Sequence, residues 1–142
     1  MTRLLAALLL CALSGIASAQ YPNKPIKIIV PFPAGSATDT ISRILGNAVS
    51  AAVGQPVVVD NKAGADGAIA ASEVMRAAPD GYTLLMATNS PMSAVPAMKK
   101  SPPYDPVAQF THVAMLGVAP VLLMANPKTG PATLKDLPKA AA

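Results

Sequence analysis

The sequence predicts an α/β fold, a parallel sheet with flanking helices. Three short runs rich in aliphatic residues carry this reading: IKIIV at 26–30, PVVVD at 56–60 and YTLLMA at 82–87. Each is too short for a helix and is bounded by Pro, Gly or polar residues, as buried strands are. Two segments with helical spacing alternate with them. The connections are long enough for crossovers, which are right-handed and make neighbouring strands parallel.

Residues 1–19 read as a secretory signal. Arg3 is the positive start, Leu4 to Leu13 the apolar stretch, and Ala17-Ser18-Ala19 a small-residue cleavage site, with cleavage after Ala19. The apolar stretch is too short to span a bilayer. The first strand, Ile26 to Val30, lies between Pro25 and Pro31. A helix follows the loop PFPAGSATD. Ile41, Ile44, Leu45, Ala48, Val49 and Ala52 recur at i, i+3, i+4, i+7, i+8 and i+11, which predicts one apolar face against the sheet. Ser36 or Thr38 serves as its cap, Asp39 lies in the first turn, and Gly54 ends it. The second strand, Pro56 to Asp60, leads through NKAGADG into an alanine-rich helix from Ala68 to about Ala78. Pro79-Asp80-Gly81 is a turn. The third strand, Tyr82 to Ala87, ends in the polar loop Thr88-Asn89-Ser90-Pro91. Beyond it, residues 92–110 contain four prolines and read as irregular structure with one short helix. His112 to Ala125, interrupted by Gly117 and Pro120, reads as two strand pieces, and Thr133 to Leu137 as the start of a helix.

Composition excludes several classes. The 142-residue chain is 52% hydrophobic and 13% charged, too apolar for a disordered chain. Aromatic content of 4% without Trp leaves few platforms for stacking bases. The net charge of +4 is scattered, with only Lys99 and Lys100 adjacent, so no nucleic acid is expected as a partner. A mild positive field favours acidic small molecules. The sole cysteine, Cys11, lies inside the signal. The mature chain would therefore have neither disulfide nor thiol chemistry, as suits a periplasm.

Open parallel sheets bind ligands beyond the carboxyl ends of their strands, where the strand order reverses. With order 2-1-3 that point lies between the first and third strands. The loops Phe32 to Asp39 and Thr88 to Pro91 meet there. A helix N-terminus with free N–H groups is suited to an anion, Gly35 allows close approach, and Ser36 and Thr38 carry hydroxyls. The alternative is that Ser36, Thr38 and Asp39 only cap the helix. Asp39 is a poor direct contact for an anion and is expected to orient backbone groups or waters. Dinucleotide, phosphate-loop and nucleophile-elbow motifs are absent. His112 is the only imidazole and no carboxylates pair closely, so neither catalysis, a cofactor nor a metal site is expected.

YPNKPIKIIVPFPAGSATD at 21–39, GQPVVVDNKAGADG at 54–67 and AAPDGYTLLMATNS at 77–90 resemble a known family. SPPYDPVAQFTHVAMLG at 101–117 and PVLLMANP at 120–127 extend the likeness. The chain is similar to the periplasmic solute-binding proteins of tripartite tricarboxylate transporters, the Bug family. That resemblance implies a type II periplasmic-binding-protein-like fold, two lobes closing on a small carboxylate, without catalysis. It also implies membrane transporter components as partners. Ligand-binding positions carried over by motif are Phe32, Ala34, Gly35, Ser36, Thr38, Asp39, Thr88, Asn89 and Ser90. Ser36 and Ala37 stand where glycines are usual in the family.

Family members are about twice as long. The expected organisation is a signal at 1–19, an incomplete first lobe at 20–118, and a crossover with the truncated start of the second lobe at 119–142. Such a fragment would bind weakly. The other readings are an exported α/β enzyme domain using the same crevice and a non-functional gene remnant.

Overall fold

The structure, a computed structural model, describes residues 21–120, 122–128, 130, 131 and 133–137. The expected signal lies outside the described residues. Three parallel strands form one sheet: β1 (Ile26–Val30), β2 (Val57–Asn61) and β3 (Thr83–Leu85). Their order is β2-β1-β3, with Ile28 registered against Val59 on one side and Leu84 on the other. The predicted β-α-β-α-β succession and strand order are both present. β3 is half as long as the predicted run, although Met86 N–H still donates to Ile29 O at 2.9 Å.

β1 lies at the centre because it is the most apolar strand. Ile26, Ile28, Ile29 and Val30 are all buried, with Ile29 and Val30 at 0% exposure. Register partners in a parallel sheet share a face. Ile26 and Ile28 therefore face the same side as Val57 and Val59, while Ile29 shares the opposite side with Leu85.

The first of these faces is covered by α1 (Ala37–Val53). Ser36 caps it, its Oγ accepting from Asp39 N–H at 3.2 Å, and Gly54 N–H closes the last turn on Ser50 O at 3.0 Å. The helix exists as predicted, but its inward face differs. Asp39, Ser42 and Gly46, spaced i, i+3 and i+7, are the buried residues. Ile41 and Ile44 are 52% and 66% exposed, and Ala48 and Ala52 are exposed as well. Only Leu45 and Val49 of the predicted stripe are half-buried. Close approach explains the rotation. A methyl group at Gly46 would lie 3.3 Å from Val57 Cγ1, so only a stripe of small residues fits this close. The buried Ser42 hydroxyl donates to Thr38 O at 2.7 Å within the helix.

The opposite face is covered by α2 (Ala68–Arg76), which ends two residues before the expected Ala78. Ala70 and Ala71 are fully buried, as a helix lying close on a sheet requires. Ala68 and Ala71 pack with Val95 and Tyr104, and Met75, Leu85 and Phe110 flank this cluster. A single π-helical turn at Ser90–Ala94 runs into a short helix, α3 (Val95–Met98), the one expected in this region.

The chain divides into two compact units between Thr111 and His112. In the second unit the two expected strand pieces across His112–Ala125 do not form among the described residues. Val113, Met115, Val118, Leu122 and Leu123 are all exposed. A strand exists only by pairing, and among the described residues the ladder bonds join β1, β2 and β3 alone. The helix expected from Thr133 is a 3₁₀ turn at Leu134–Asp136, with Thr133 Oγ1 donating to Asp136 Oδ2 at 2.6 Å.

These packing differences predict opposite mutational outcomes. Ile29→Ala is expected to lower unfolding free energy by about 2–5 kcal/mol. Ile44→Ala, on the same count of lost methyl groups, is expected to stay within about 0.5 kcal/mol. Urea unfolding of the two variants beside the parent chain checks both. A large loss for Ile44→Ala would return that residue to the core.

Candidate functional site

Three loops leave the carboxyl ends of the strands: residues 31–36 after β1, 62–67 after β2 and 86–91 after β3. They converge on Gly67. Its φ is +87°, in the left-handed region that favours glycine, and a methyl group there would sit 3.0 Å from Pro31 Cβ and 3.2 Å from two Pro91 carbons. Pro31 and Pro91 are both fully buried, so the loops after β1 and β3 close over one backbone position. The Tyr104 hydroxyl holds the second loop, donating to Pro91 O at 2.6 Å. Burial pushes its pKa above the usual 10.0, which keeps the proton in place for that bond.

The loop after β1 is braced from beneath. Asp39 is only 3% exposed, and both of its carboxylate oxygens are engaged. Oδ2 accepts from Gly35 N–H at 2.9 Å and Arg43 Nε at 3.0 Å. Oδ1 accepts from Asn61 Nδ2 at 3.0 Å and stands 2.9 Å from Arg43 Nη2. Asn61 Nδ2 also donates to Phe32 O at 3.0 Å, and its Oδ1 accepts from Arg43 Nη2 at 3.2 Å. The Arg43 guanidinium first, then the Gly35 N–H and the Asn61 amide, hold the Asp39 carboxyl down from 3.8 to about 2.

This arrangement assigns different positions to the sequence-predicted residues. Phe32, Ala34, Gly35, Ser36 and Thr38 form the loop and first turn of α1, with Ala34 and Gly35 exposed and Ser36 and Thr38 half-buried. Asp39 lies under them, turned away from solvent. Asn89 is exposed and Ser90 half-buried in the other loop. Thr88 Oγ1 is buried and has no hydrogen-bond partner. Arg43, Asn61, Gly67 and Tyr104 were not singled out from sequence. Their roles depend on contacts distant along the chain, and the local signal at Asn61 was no more than a polar residue at a strand end.

Chemically, the site offers donors. In the first turn of α1, Asp39 N–H goes to Ser36 Oγ, while the N–H groups of Ala37 and Thr38 have no intrahelical partner. A helix of this length concentrates partial positive charge there. Arg43 neutralises Asp39, so that carboxylate does not repel an anion. Among the described residues no group of His, Cys, Asp and Glu side chains stands close enough to hold a metal.

An open parallel sheet whose loops converge at its strand ends belongs to the α/β class, in which ligands bind at that edge. Residues 41–142 match the family described as the tripartite tricarboxylate transporter family receptor, and the chain belongs to that family. Protein BugT of Bordetella pertussis (strain Tohama I) is 42% identical over 134 residues, spanning 90% of this chain and 41% of BugT. The solved periplasmic binding protein BugD aligns with a TM-score of 0.57 and 39% identity over 63% of this chain and 30% of BugD. MatC from Rhodopseudomonas palustris, solved with bound malate, aligns with a TM-score of 0.61 and 35% identity over 64% of this chain and 31% of MatC. The fold is thus of the periplasmic-binding-protein kind, and the chain spans about two fifths of the length of the curated relatives it matches. The family is described as a receptor and BugD as a periplasmic binding protein. No helix among the described residues is long and apolar enough to cross a membrane.

The lowered Asp39 pKa sets a pH dependence. Because the folded value lies below the unfolded one, the unfolded chain binds the proton more readily and acid favours unfolding. The contribution of Asp39 is full above about pH 4 and is lost as pH falls toward about 2. Asp39→Asn is expected to lower stability at neutral pH and to flatten its decline across that window. Urea midpoints measured through the window check this, and an unchanged acid slope would mean that Asp39 is not held as described.

Proposed function

We propose that this chain supplies the first jaw of an extracytoplasmic solute receptor. The jaw grips one carboxylate group of a small organic acid, a dicarboxylate or tricarboxylate, for a tripartite tricarboxylate-type transporter. One observation carries the reading. The free N–H groups at the start of α1 and the unpaired, buried Thr88 hydroxyl stand on two loops closed together over Gly67. Such donors suit a carboxylate and no group beside them suits covalent chemistry, so the role is binding without catalysis. The malate held by MatC and the family's description support an organic acid as ligand.

Phe32, Ala34, Gly35, Ser36, Thr38, Thr88, Asn89 and Ser90 form the gripping surface, with Asp39 acting from below. Residues 1–19 direct export, with cleavage after Ala19, and residues 20–118 and 119–142 correspond to the first lobe and the start of the second. The transporter's membrane components are the partners.

Malate is the probe. Titrating it into the isotope-labelled chain is expected to shift the backbone amides of residues 34–38 and 88–90 saturably. Malamide, of the same shape but uncharged, is expected to leave them in place. Thr88→Val, which removes the hydroxyl at nearly constant volume, is expected to weaken malate binding about three- to tenfold. Equal shifts with malate and malamide would refute a carboxylate site.

A further inference from the structure

The free N–H groups that would meet a ligand open α1, directly after the loop from β1, where Ala34 and Gly35 are exposed and carry no polar side chain. A turn from Ser36 N–H to Pro33 O closes that loop at its helix end, and its other end needs a partner from elsewhere. Asn61, the last residue of β2, reaches it from the neighbouring strand. We propose that Asn61 is the positioning residue of the carboxylate loop, the group that sets how the loop enters α1 and so presents the free N–H donors of its first turn. This rests on the receptor reading above and deepens it.

The chemistry of the contacts defines one orientation of the side chain. Phe32 O and the Asp39 carboxylate only accept, so they must face the amide NH₂. Arg43 only donates, so it must face Oδ1. Turning the amide over would oppose acceptor to acceptor twice and donor to donor once. A single planar group thus ties the start of the loop at Phe32 to the carboxylate that holds Gly35 N–H. With both of those points held, Pro33 and Ala34 between them have little freedom to turn. No aliphatic residue of similar size replaces this, and neither does Asp, whose carboxylate would face Asp39 and Phe32 O with no proton to give. Asn61 is half-buried beneath the loop and acts through it, without a ligand contact of its own.

The test uses the full chain with malate as probe and two variants, Asn61→Asp and Asn61→Leu. Each is read by NMR in three ways: hydrogen exchange at the Gly35 amide without ligand, titration of the Asp39 carboxyl, and malate affinity. If Asn61 positions the loop, Gly35 exchange speeds up about tenfold or more and malate binding weakens about tenfold. In Asn61→Leu the Asp39 pKa also rises from about 2. Lys24→Ala, which removes the exposed pair with Asp80 at the opposite ends of the strands, is expected to leave all three readouts unchanged. A purely structural role for Asn61 would lower the unfolding midpoint while leaving malate affinity in the folded fraction intact, and that result overturns the proposal. Failure of the parent chain to bind malate at all would overturn the receptor reading and this proposal with it. Binding by the parent and by both variants alike would overturn the proposal alone.

Discussion

The Asp39 carboxylate is the joint on which this structure turns. A charge removed from water is costly unless every lone pair finds a donor. Here the donors come from three different places: Gly35 from the loop after β1, Arg43 from the next turn of α1, and Asn61 from the end of β2. Satisfying that one group therefore fixes the helix against the sheet and the loop against both. It also explains why a polar residue occupies the inward face of α1 while two isoleucines point outward. Close approach to the sheet at Gly46 leaves no room for larger side chains there, and Asp39 can join that buried stripe because its partners satisfy its charge.

Gly67 plays the complementary part on the other side of the crevice. The Asp39 network works through hydrogen bonds, whereas Gly67 works through the absence of a side chain, which lets Pro31 and Pro91 come together. Tyr104 then secures Pro91 from within the cluster that supports α2. The exposed surface of these loops is in this way held from two directions. Preorganisation of that kind reduces the ordering cost at the moment of binding.

Much of this was readable along the chain. The aliphatic runs marked the strands because β1 is buried on both faces and tolerates little else. Ser36 and Gly54 marked the ends of α1 because capping is a local matter of one hydroxyl and one backbone conformation. The meeting of the stretches after β1 and β3 was recognisable too, since strand order in an open sheet determines where the crevice opens. The two strand pieces after His112 were not correctly foreseen, because an apolar run records a preference for burial and says nothing about whether a neighbouring strand is there to pair with it.

The kind and order of the elements up to β3, the parallel pairing and the two loops of the crevice are written into the chain locally. These follow from periodicity, chirality and the special backbones of Gly and Pro, all of which act over a few residues. Only the tertiary structure decided which face of α1 turns inward, which partners neutralise Asp39, and that Asn61, Gly67 and Tyr104 shape a site to which none was assigned from the sequence. Those outcomes depend on groups brought together from positions up to about sixty residues apart. Hydrogen-bond geometry and steric fit at such meeting points are properties of the assembled fold, and no local pattern encodes them.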